Sequence, residues 1–216
     1  MKIAIVGATG FVGKALVNEA LNRGHEVIAL ARNSGKLAFE NEKLTTKDVD
    51  VLNTEETADI FQNAELIVSA FNAGWENPNL YNDFLAGSKA VEKAAKKAGK
   101  RLIVIGGAGS LYIAPTFQLV DTDGFPAEFK NGAKAARDYL NHLQSQTDFD
   151  WTFFSPAIEM HPGINTGRTG KYRLGKDEPV FDAANSSKLS VEDLAVAIID
   201  EAEQAKHVRQ RFTAAY

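Results

Sequence analysis

The chain has 216 residues, of which 44% are hydrophobic and 24% are charged, as expected for one domain with a substantial core. Its net charge of −4 argues against a basic nucleic-acid-binding face, and the absence of cysteine excludes disulfides, thiolate catalysis and cysteine-ligated zinc. No signal-peptide pattern follows Met1, and no apolar run approaches the roughly 20 residues of a membrane span. We therefore expect a cytoplasmic protein with no membrane partner, no nucleic-acid partner and no metal site.

The strongest motif opens the chain. A β-branched run, Ile3 to Val6, precedes Gly7, Gly10 and Gly13, and a helical apolar pattern follows. A strand, a glycine turn and a helix in this order are the context of a dinucleotide site, in which the helix N-terminus holds phosphates. The GxxGxxG spacing resembles that of short-chain dehydrogenase/reductases; the alternative is a purely structural turn. The predicted pyrophosphate contacts are Gly7, Thr9, Gly10, Phe11 and Val12.

The second predicted strand, Glu26 to Ala31, ends without the carboxylate that binds the ribose of NAD in this type of unit. Arg32 stands in that place. A guanidinium there can pair with a 2′-phosphate and stack on adenine, which favours NADP(H) and leaves NAD(H) possible. The alternative is that Arg32 is a solvated loop residue.

The next stretch, Leu44 to Val51, predicts a third strand that runs into a loop. Asp48 and Val49 are placed to border the adenine, although Asp48 could instead cap the following helix. That helix is predicted over 54–63, with Thr54 as its N-cap.

Further strands are predicted from Glu65 to Phe71 and from Arg101 to Ile105, with a long helix from Leu80 to Gly99 between them. Because ligands bind beyond the carboxyl ends of parallel strands, Ala70 and Phe71 are expected to border the cofactor ribose. The alternation of strands and helices predicts a Rossmann-type doubly wound parallel sheet, with a small C-terminal substrate-side extension. We expect a single NAD(P)-binding domain over 1–216, with substrate-side segments at about 156–189.

Ser110 follows the fifth strand, where short-chain dehydrogenases place a catalytic hydroxyl beside the nicotinamide. Their Tyr–Lys pair, four residues apart on the next helix, is absent: Leu143 follows Tyr139 at that spacing, and Lys130 precedes Lys134. Tyr139 falls in a helical apolar pattern and is predicted to pack in the core. We therefore take Ser110 as the candidate catalytic residue, and any reduction must proceed without the usual tyrosine acid.

The C-terminal third begins with a predicted strand from Asp150 to Ser155, and a glycine- and proline-rich loop, Pro156 to Gly170, is placed to form a substrate wall. A small hairpin around Gly175 is predicted next, then a helix capped by Ser190, and a last strand over 209–216. The candidate substrate-side residues are Tyr112, Ser155, His161 and Arg168.

The chain resembles the atypical short-chain dehydrogenase/reductases, in the branch called NADH-flavin reductases, with biliverdin reductase B-like and nitrogen-repression-regulator-like (NmrA-like) proteins in the wider neighbourhood. The resemblance implies a Rossmann-type sheet, bound NADP(H) or NAD(H) and an oxidoreductase role without the Tyr–Lys pair. The segments that carry it are GATGFVG (Gly7 to Gly13), ALARN (Ala29 to Asn33), GGAGSLY (Gly106 to Tyr112), DWTFFSPA (Asp150 to Ala157), PGINTGRTGKYRLG (Pro162 to Gly175), SKLSVEDLAVAIIDE (Ser187 to Glu201) and HVRQRFTAAY (His207 to Tyr216).

The first functional hypothesis is an NAD(P)H-dependent reductase that passes a hydride directly to a conjugated flavin or quinone-type acceptor, with FMN or FAD only as a substrate. The second is a non-catalytic NADP(H)-sensing protein that regulates a partner. A weaker third is a nucleotide-sugar epimerase or dehydratase, disfavoured by the short stretch after Ser155. The expected partner is a small-molecule acceptor, and the expected state is a monomer or a homodimer.

Overall fold

A computed structural model describes residues 1–38 and 40–216. The strands are β1 (Lys2–Val6), β2 (Glu26–Ala31), β3 (Leu44–Asp48), β4 (Leu66–Ser69), β5 (Arg101–Ile105), β6 (Tyr112–Ala114), β7 (Phe117–Gln118), β8 (Trp151–Ser155), β9 (Arg173–Gly175) and β10 (Gln210–Ala215). The helices are α1 (Phe11–Asn22), α2 (Thr54–Gln62), α3 (Leu80–Ala98), α4 (Ala127–Gln144) and α5 (Val191–Gln204). Within these described ranges, no helix is both long and apolar enough to cross a membrane.

Eight strands form one sheet in the order β3-β2-β1-β4-β5-β8-β10-β9. Every neighbouring pair is parallel except β10 and β9, which are antiparallel. The strand order reverses between β1 and β4, the point at which a doubly wound sheet opens a crevice for ligands. The predicted Rossmann-type doubly wound sheet is confirmed.

Helices cover both faces of the sheet. Successive residues of a strand point to opposite faces, and in the central strands the side chains on both faces are apolar and buried. Ile3 and Ile5 of β1 face a core shared with α1 and α5, whereas Ala4 and Val6 face a core shared with α2, α3 and α4. Tyr139 lies fully buried in the second core, as predicted, and donates a hydrogen bond to the Ser88 carbonyl at 3.2 Å.

The strand–helix alternation fails between β2 and β3, which are joined by a single 3₁₀ turn, Ser34–Lys36, in the described part of that connection. The predicted hairpin around Gly175 is also wrong. β9 pairs instead with β10, with Thr213 opposite Gly175, because the edge of β10 offers it a long-range partner.

Two further details differ from the sequence prediction. Thr54 is the first residue of α2, and Asn53 takes the N-cap position without a side-chain cap bond. The short hairpin of β6 and β7, before α4, was not predicted. Its strands are too short for a periodicity signal to identify them.

Candidate functional site

The glycine turn is closely packed around its backbone. Gly7 has a φ of +74°, and a Cβ there would lie 2.5 Å from the Ala70 carbonyl oxygen. A Cβ on Gly13 would collide with the backbone of Gly7, so α1 can pack closely on β1 only because both residues are glycine.

The N-terminus of α1 is open. Gly10 is its N-cap residue and has no side chain to cap it. The first α-helical hydrogen bond runs from Lys14 N to Gly10 O at 3.0 Å, so the N–H groups of Phe11 and Val12 lie ahead of that bond. With the positive end of the helix dipole, this arrangement suits an anionic group.

A cavity of about 390 Å³ begins at this turn and crosses the carboxyl ends of the first four strands. Seven of the predicted cofactor residues line it: Gly7, Thr9, Gly10, Arg32, Val49, Ala70 and Phe71. Four others lie outside its wall: Phe11, Val12, Asp48 and Ser110. The remaining lining residues are Val6, Leu30, Ala31, Asp50, Val51, Leu52, Asn72, Ala73, Asn77, Asp83 and Ala86.

At one end of the cavity, two neighbouring aspartates, Asp48 and Asp50, have different surroundings. Asp48 accepts a hydrogen bond from Ser34 N at 2.7 Å, and bonds from the Ser34 side chain and backbone lower the pKa of that carboxyl. Asp50 lies on the cavity wall, beside Leu52. Asp50 also accepts a hydrogen bond from Leu52 N at 3.0 Å, so the aspartate that lines this end of the cavity is two residues beyond the one that the sequence singled out.

Arg32 lies on the same part of the wall and is exposed. Within residues 1–38 and 40–216, its guanidinium has neither an ion-pair nor a hydrogen-bond partner. A guanidinium placed in this way is available to an anion from solution.

The loop after β4 forms another part of the cavity wall, and hydrogen bonds of its asparagine side chains hold it in place. Asn72 accepts a hydrogen bond from Gly74 N at 2.7 Å. Asn77 and Asn79 donate to the two carboxylate oxygens of Asp83, at 2.8 and 2.6 Å. Ala73, Asn77 and Asp83 were missed from the sequence, since only the NAG tripeptide after β4 marks this loop as unusual.

Ser110 is fully buried after β5. Its hydroxyl lies 3.2 Å from both the Gly107 carbonyl and the Ser155 hydroxyl, and its carbonyl accepts a bond from Arg211 at 2.6 Å. The structure therefore brings Ser110 and the substrate-side candidate Ser155 together, in the packed interior and away from the cavity wall.

The other substrate-side candidates lie apart from this cavity. Tyr112 lines a second, more open cavity of about 500 Å³ with Asp177 and Glu178. His161 is exposed, and its Nδ1 accepts a turn hydrogen bond from Gly163 N at 3.1 Å. Arg168 pairs with a carboxylate of α1.

Arg168 pairs with the buried Glu19 of α1, to which its Nε and Nη2 donate at 2.7 and 2.9 Å. These hydrogen bonds lower the pKa of Glu19, with burial opposing the shift and Arg23 adding to it. The Pro156–Gly170 loop is thus attached to α1 through this pair.

Comparison with known proteins agrees with this architecture. Residues 7–202 match the family described as NAD(P)H-binding. The chain belongs to this family of atypical short-chain dehydrogenase/reductases.

Three relatives illustrate the similarity. The chain is 38% identical to the uncharacterised protein YwnB of Bacillus subtilis over 215 residues, which cover 99% of this chain and 97% of that protein. A solved structure of a candidate epimerase from Bacteroides thetaiotaomicron has a TM-score of 0.90 and 45% identity, covering 100% and 96% of the two chains. That of a candidate NADH-flavin reductase from Streptococcus pneumoniae has a TM-score of 0.85 and 34% identity, covering 100% and 99%.

Proposed function

We propose that this protein is an NADPH-dependent reductase of a small conjugated acceptor of the flavin or quinone type. The observation that carries the proposal is the continuous cavity that runs from the open N-terminus of α1 to Arg32 and to the loop after β4. Family membership supports a nicotinamide nucleotide as the ligand of this cavity.

The lining fits such a nucleotide. Gly10 lines the cavity and carries no side chain, so it leaves the backbone accessible to a pyrophosphate, and the open helix end compensates the charge of that group. Arg32 is the side chain that we assign to a 2′-phosphate, and the apolar surface of Val49, Val51 and Leu52 suits an adenine ring. Asp50 is placed for a hydrogen bond from the adenine amino group or from a ribose hydroxyl.

The acceptor class follows from what the chain lacks at the usual catalytic positions. A bound reduced nicotinamide supplies a hydride. Lys130 stands where a tyrosine acid would precede Lys134, and burial raises the pKa of the Tyr139 phenol well above its usual range. A conjugated ring that accepts a hydride can take its proton from water, so NADPH, a proton and the acceptor give NADP⁺ and the reduced acceptor without a protein acid.

Ser110 has a positioning role in this proposal. Its hydroxyl, with that of Ser155, links the turn after β5 to β8. The description of the Streptococcus pneumoniae relative as a candidate NADH-flavin reductase points to the same acceptor class.

A second candidate function is a non-catalytic sensor of NADP(H). The observation that favours it is the full burial of Ser110, which removes the remaining hydroxyl of the usual catalytic set from the cavity wall. A sensor binds the nucleotide but does not oxidise it.

The deciding experiment is a titration with NADPH and NADH, followed by nicotinamide fluorescence, and then a measurement of NADPH oxidation with FMN or menadione present. We expect tighter binding of NADPH and acceptor-dependent oxidation. Binding without oxidation by either acceptor would favour the sensor. Absence of binding by both nucleotides at tens of micromolar protein would reject both functions.

A further inference from the structure

Two large aromatic side chains lie side by side on the surface next to the cavity. Trp75, in the loop after β4, is 57% exposed, and Phe129, in the first turn of α4, is 45% exposed. Their rings meet edge to face, with centroids 5.4 Å apart and an interplanar angle of 82°. We refer to Trp75 and Phe129 as the aromatic pair.

The indole of Trp75 packs against α4 at Gly132. A Cβ on Gly132 would lie 2.8 Å from Cζ3 of Trp75 and 3.1 Å from Cδ2 of Leu80. The ring therefore lies against the helix at a place that only glycine leaves open. Glycine is unfavourable inside a helix, and here it is buried in α4 under the indole and Leu80, so the close seat of the indole is obtained at a cost to the helix.

The loop that carries Trp75 contributes to the wall of the cavity on either side of the indole. Trp75 is two residues from both Ala73 and Asn77, which line the cavity. The loop that carries it is held by the Asn72–Gly74 and Asn77–Asp83 hydrogen bonds. The indole is thus held in place beside the cavity before any ligand arrives, which lowers the entropic cost of binding one.

We propose that the aromatic pair binds the planar ring of the acceptor, as a specificity element of the reductase site; this inference rests on the proposed function. An exposed indole supported from behind offers a flat face for stacking, and stacking tolerates differences in ring substituents. The class of acceptor that it selects is a fused or substituted conjugated ring, such as an isoalloxazine or a naphthoquinone.

The test measures binding of FMN and of menadione by calorimetry, on nucleotide-free protein and again with NADP⁺ present. Trp75→Leu is expected to weaken both by about tenfold, whereas Trp75→Phe, which keeps a ring, stays within about twofold of wild type. Gly132→Ala, which displaces the indole, is expected to behave like Trp75→Leu. Phe117→Leu is the matched control, since Phe117 is another exposed aromatic residue, on β7, and is 43% exposed.

NADPH affinity and thermal stability are measured on every variant. Wild-type ring affinity in both Trp75→Leu and Gly132→Ala overturns the inference. So does a change in solution molar mass in Trp75→Leu, which would show that a second copy of the chain covers the aromatic pair. Failure of wild-type protein to bind NADPH contradicts the proposed function instead, because the titrations on nucleotide-free protein still test the aromatic pair.

Discussion

Arg32 and Asp50 lie on the same cavity wall with opposite charges, and each favours a different feature of a dinucleotide. A guanidinium stabilises a 2′-phosphate through charge-assisted hydrogen bonds, whereas a carboxylate suits free ribose hydroxyls or the adenine amino group. We therefore expect the balance between these two residues to set which nicotinamide cofactor binds more tightly.

Replacing Arg32 by alanine tests this balance. We expect Arg32→Ala to raise the Kd of NADPH by about tenfold or more and to change the Kd of NADH much less, because the lost hydrogen bonds involve the 2′-phosphate. Fluorescence titration of both nucleotides measures the effect. Lys47→Ala, which removes an exposed positive charge from the neighbouring β3, serves as the control; an equal loss for both nucleotides would contradict the role given to Arg32.

Ser110 offers a second test at the scale of one side chain. Ser110→Ala is expected to lower the free energy of unfolding by about 1 kcal/mol, since it removes buried hydrogen bonds, and to leave kcat for quinone reduction within about twofold. Denaturant unfolding and steady-state kinetics are measured together. A large drop in kcat with unchanged stability would make Ser110 a proton donor rather than a positioning residue.

At the scale of elements, the first helix and the last helix of the chain begin in different ways. The β1–α1 turn depends on glycines that touch neighbouring backbone, and α5 begins with a capped first turn in which Ser190 Oγ accepts from Asp193 N at 3.1 Å. The same Ser190 hydroxyl donates to the Gly167 carbonyl at 2.7 Å, so it also holds the preceding loop.

Gly7 and Gly99 form a matched pair for testing the turn. Both have positive φ, but a Cβ on Gly99 meets nothing within 4 Å, whereas one on Gly7 meets Ala70. Gly99→Ala is expected to cost about 1 kcal/mol of stability from backbone strain alone. Gly7→Ala is expected to cost at least about twice as much and to abolish nucleotide binding, as measured by thermal unfolding and NADPH titration. Equal costs would mean that the contact between Gly7 and the Ala70 backbone is loose.

The helix caps provide a similar contrast. Ser190→Ala is expected to destabilise the protein by about 1 to 2 kcal/mol, because it leaves the Asp193 N–H without its acceptor. Asn53→Ala, at the N-cap of α2, is expected to change stability by less than about 0.5 kcal/mol, since the Asn53 side chain caps no backbone N–H and, within the described residues, bonds only to the exposed Glu56. Chemical unfolding of the two variants compares them directly, and a reversed order would contradict this assignment of the caps.

At the scale of the whole molecule, ion pairs join segments that are far apart in sequence. Glu19 of α1 binds both Arg23 and Arg168, and Arg23 also reaches Asp200 of α5 at 2.6 Å. Burial opposes ionisation of the Arg23 guanidinium, but its carboxylate partners raise its pKa above the usual value. The network holds α1, the Pro156–Gly170 loop and α5 as one unit.

This network predicts a sensitivity to acid. The pKa of Glu19 is lowered in the folded state, so its contribution is complete above the unfolded value of about 4.3 and is lost as pH falls through the lower folded value. Glu19→Gln is expected to reduce the free energy of unfolding by about 2 kcal/mol at pH 7, with a smaller difference from wild type near pH 3. Urea unfolding across this range measures it. Glu55→Gln, in an exposed pair with Lys97, is the control; a difference that persists unchanged at low pH would contradict the mechanism.

The sequence predicts best those features that depend on residues close together in the chain. Residue spacing within a short window predicts the Gly7–Gly13 turn and the Ser190 cap. The alternation of strands and helices predicts that the strands of the sheet are mostly parallel. The pairing of Arg168 with Glu19 joins residues 149 positions apart, which no local pattern encodes. Asp48 bonds to Ser34, 14 positions earlier in the chain, and this contact, which leaves Asp50 on the cavity wall, is likewise not encoded locally.

The two tryptophans occupy opposite environments: Trp75 is exposed beside the cavity, whereas Trp151 is buried in β8. Emission from the first is therefore centred at longer wavelength and is open to collisional quenchers such as acrylamide, whereas emission from the second is shielded until the sheet comes apart. The wild-type chain thus carries two native optical reporters, one for events at the cavity and one for loss of the core, and an instrument that resolves emission wavelength reads both from one unlabelled sample.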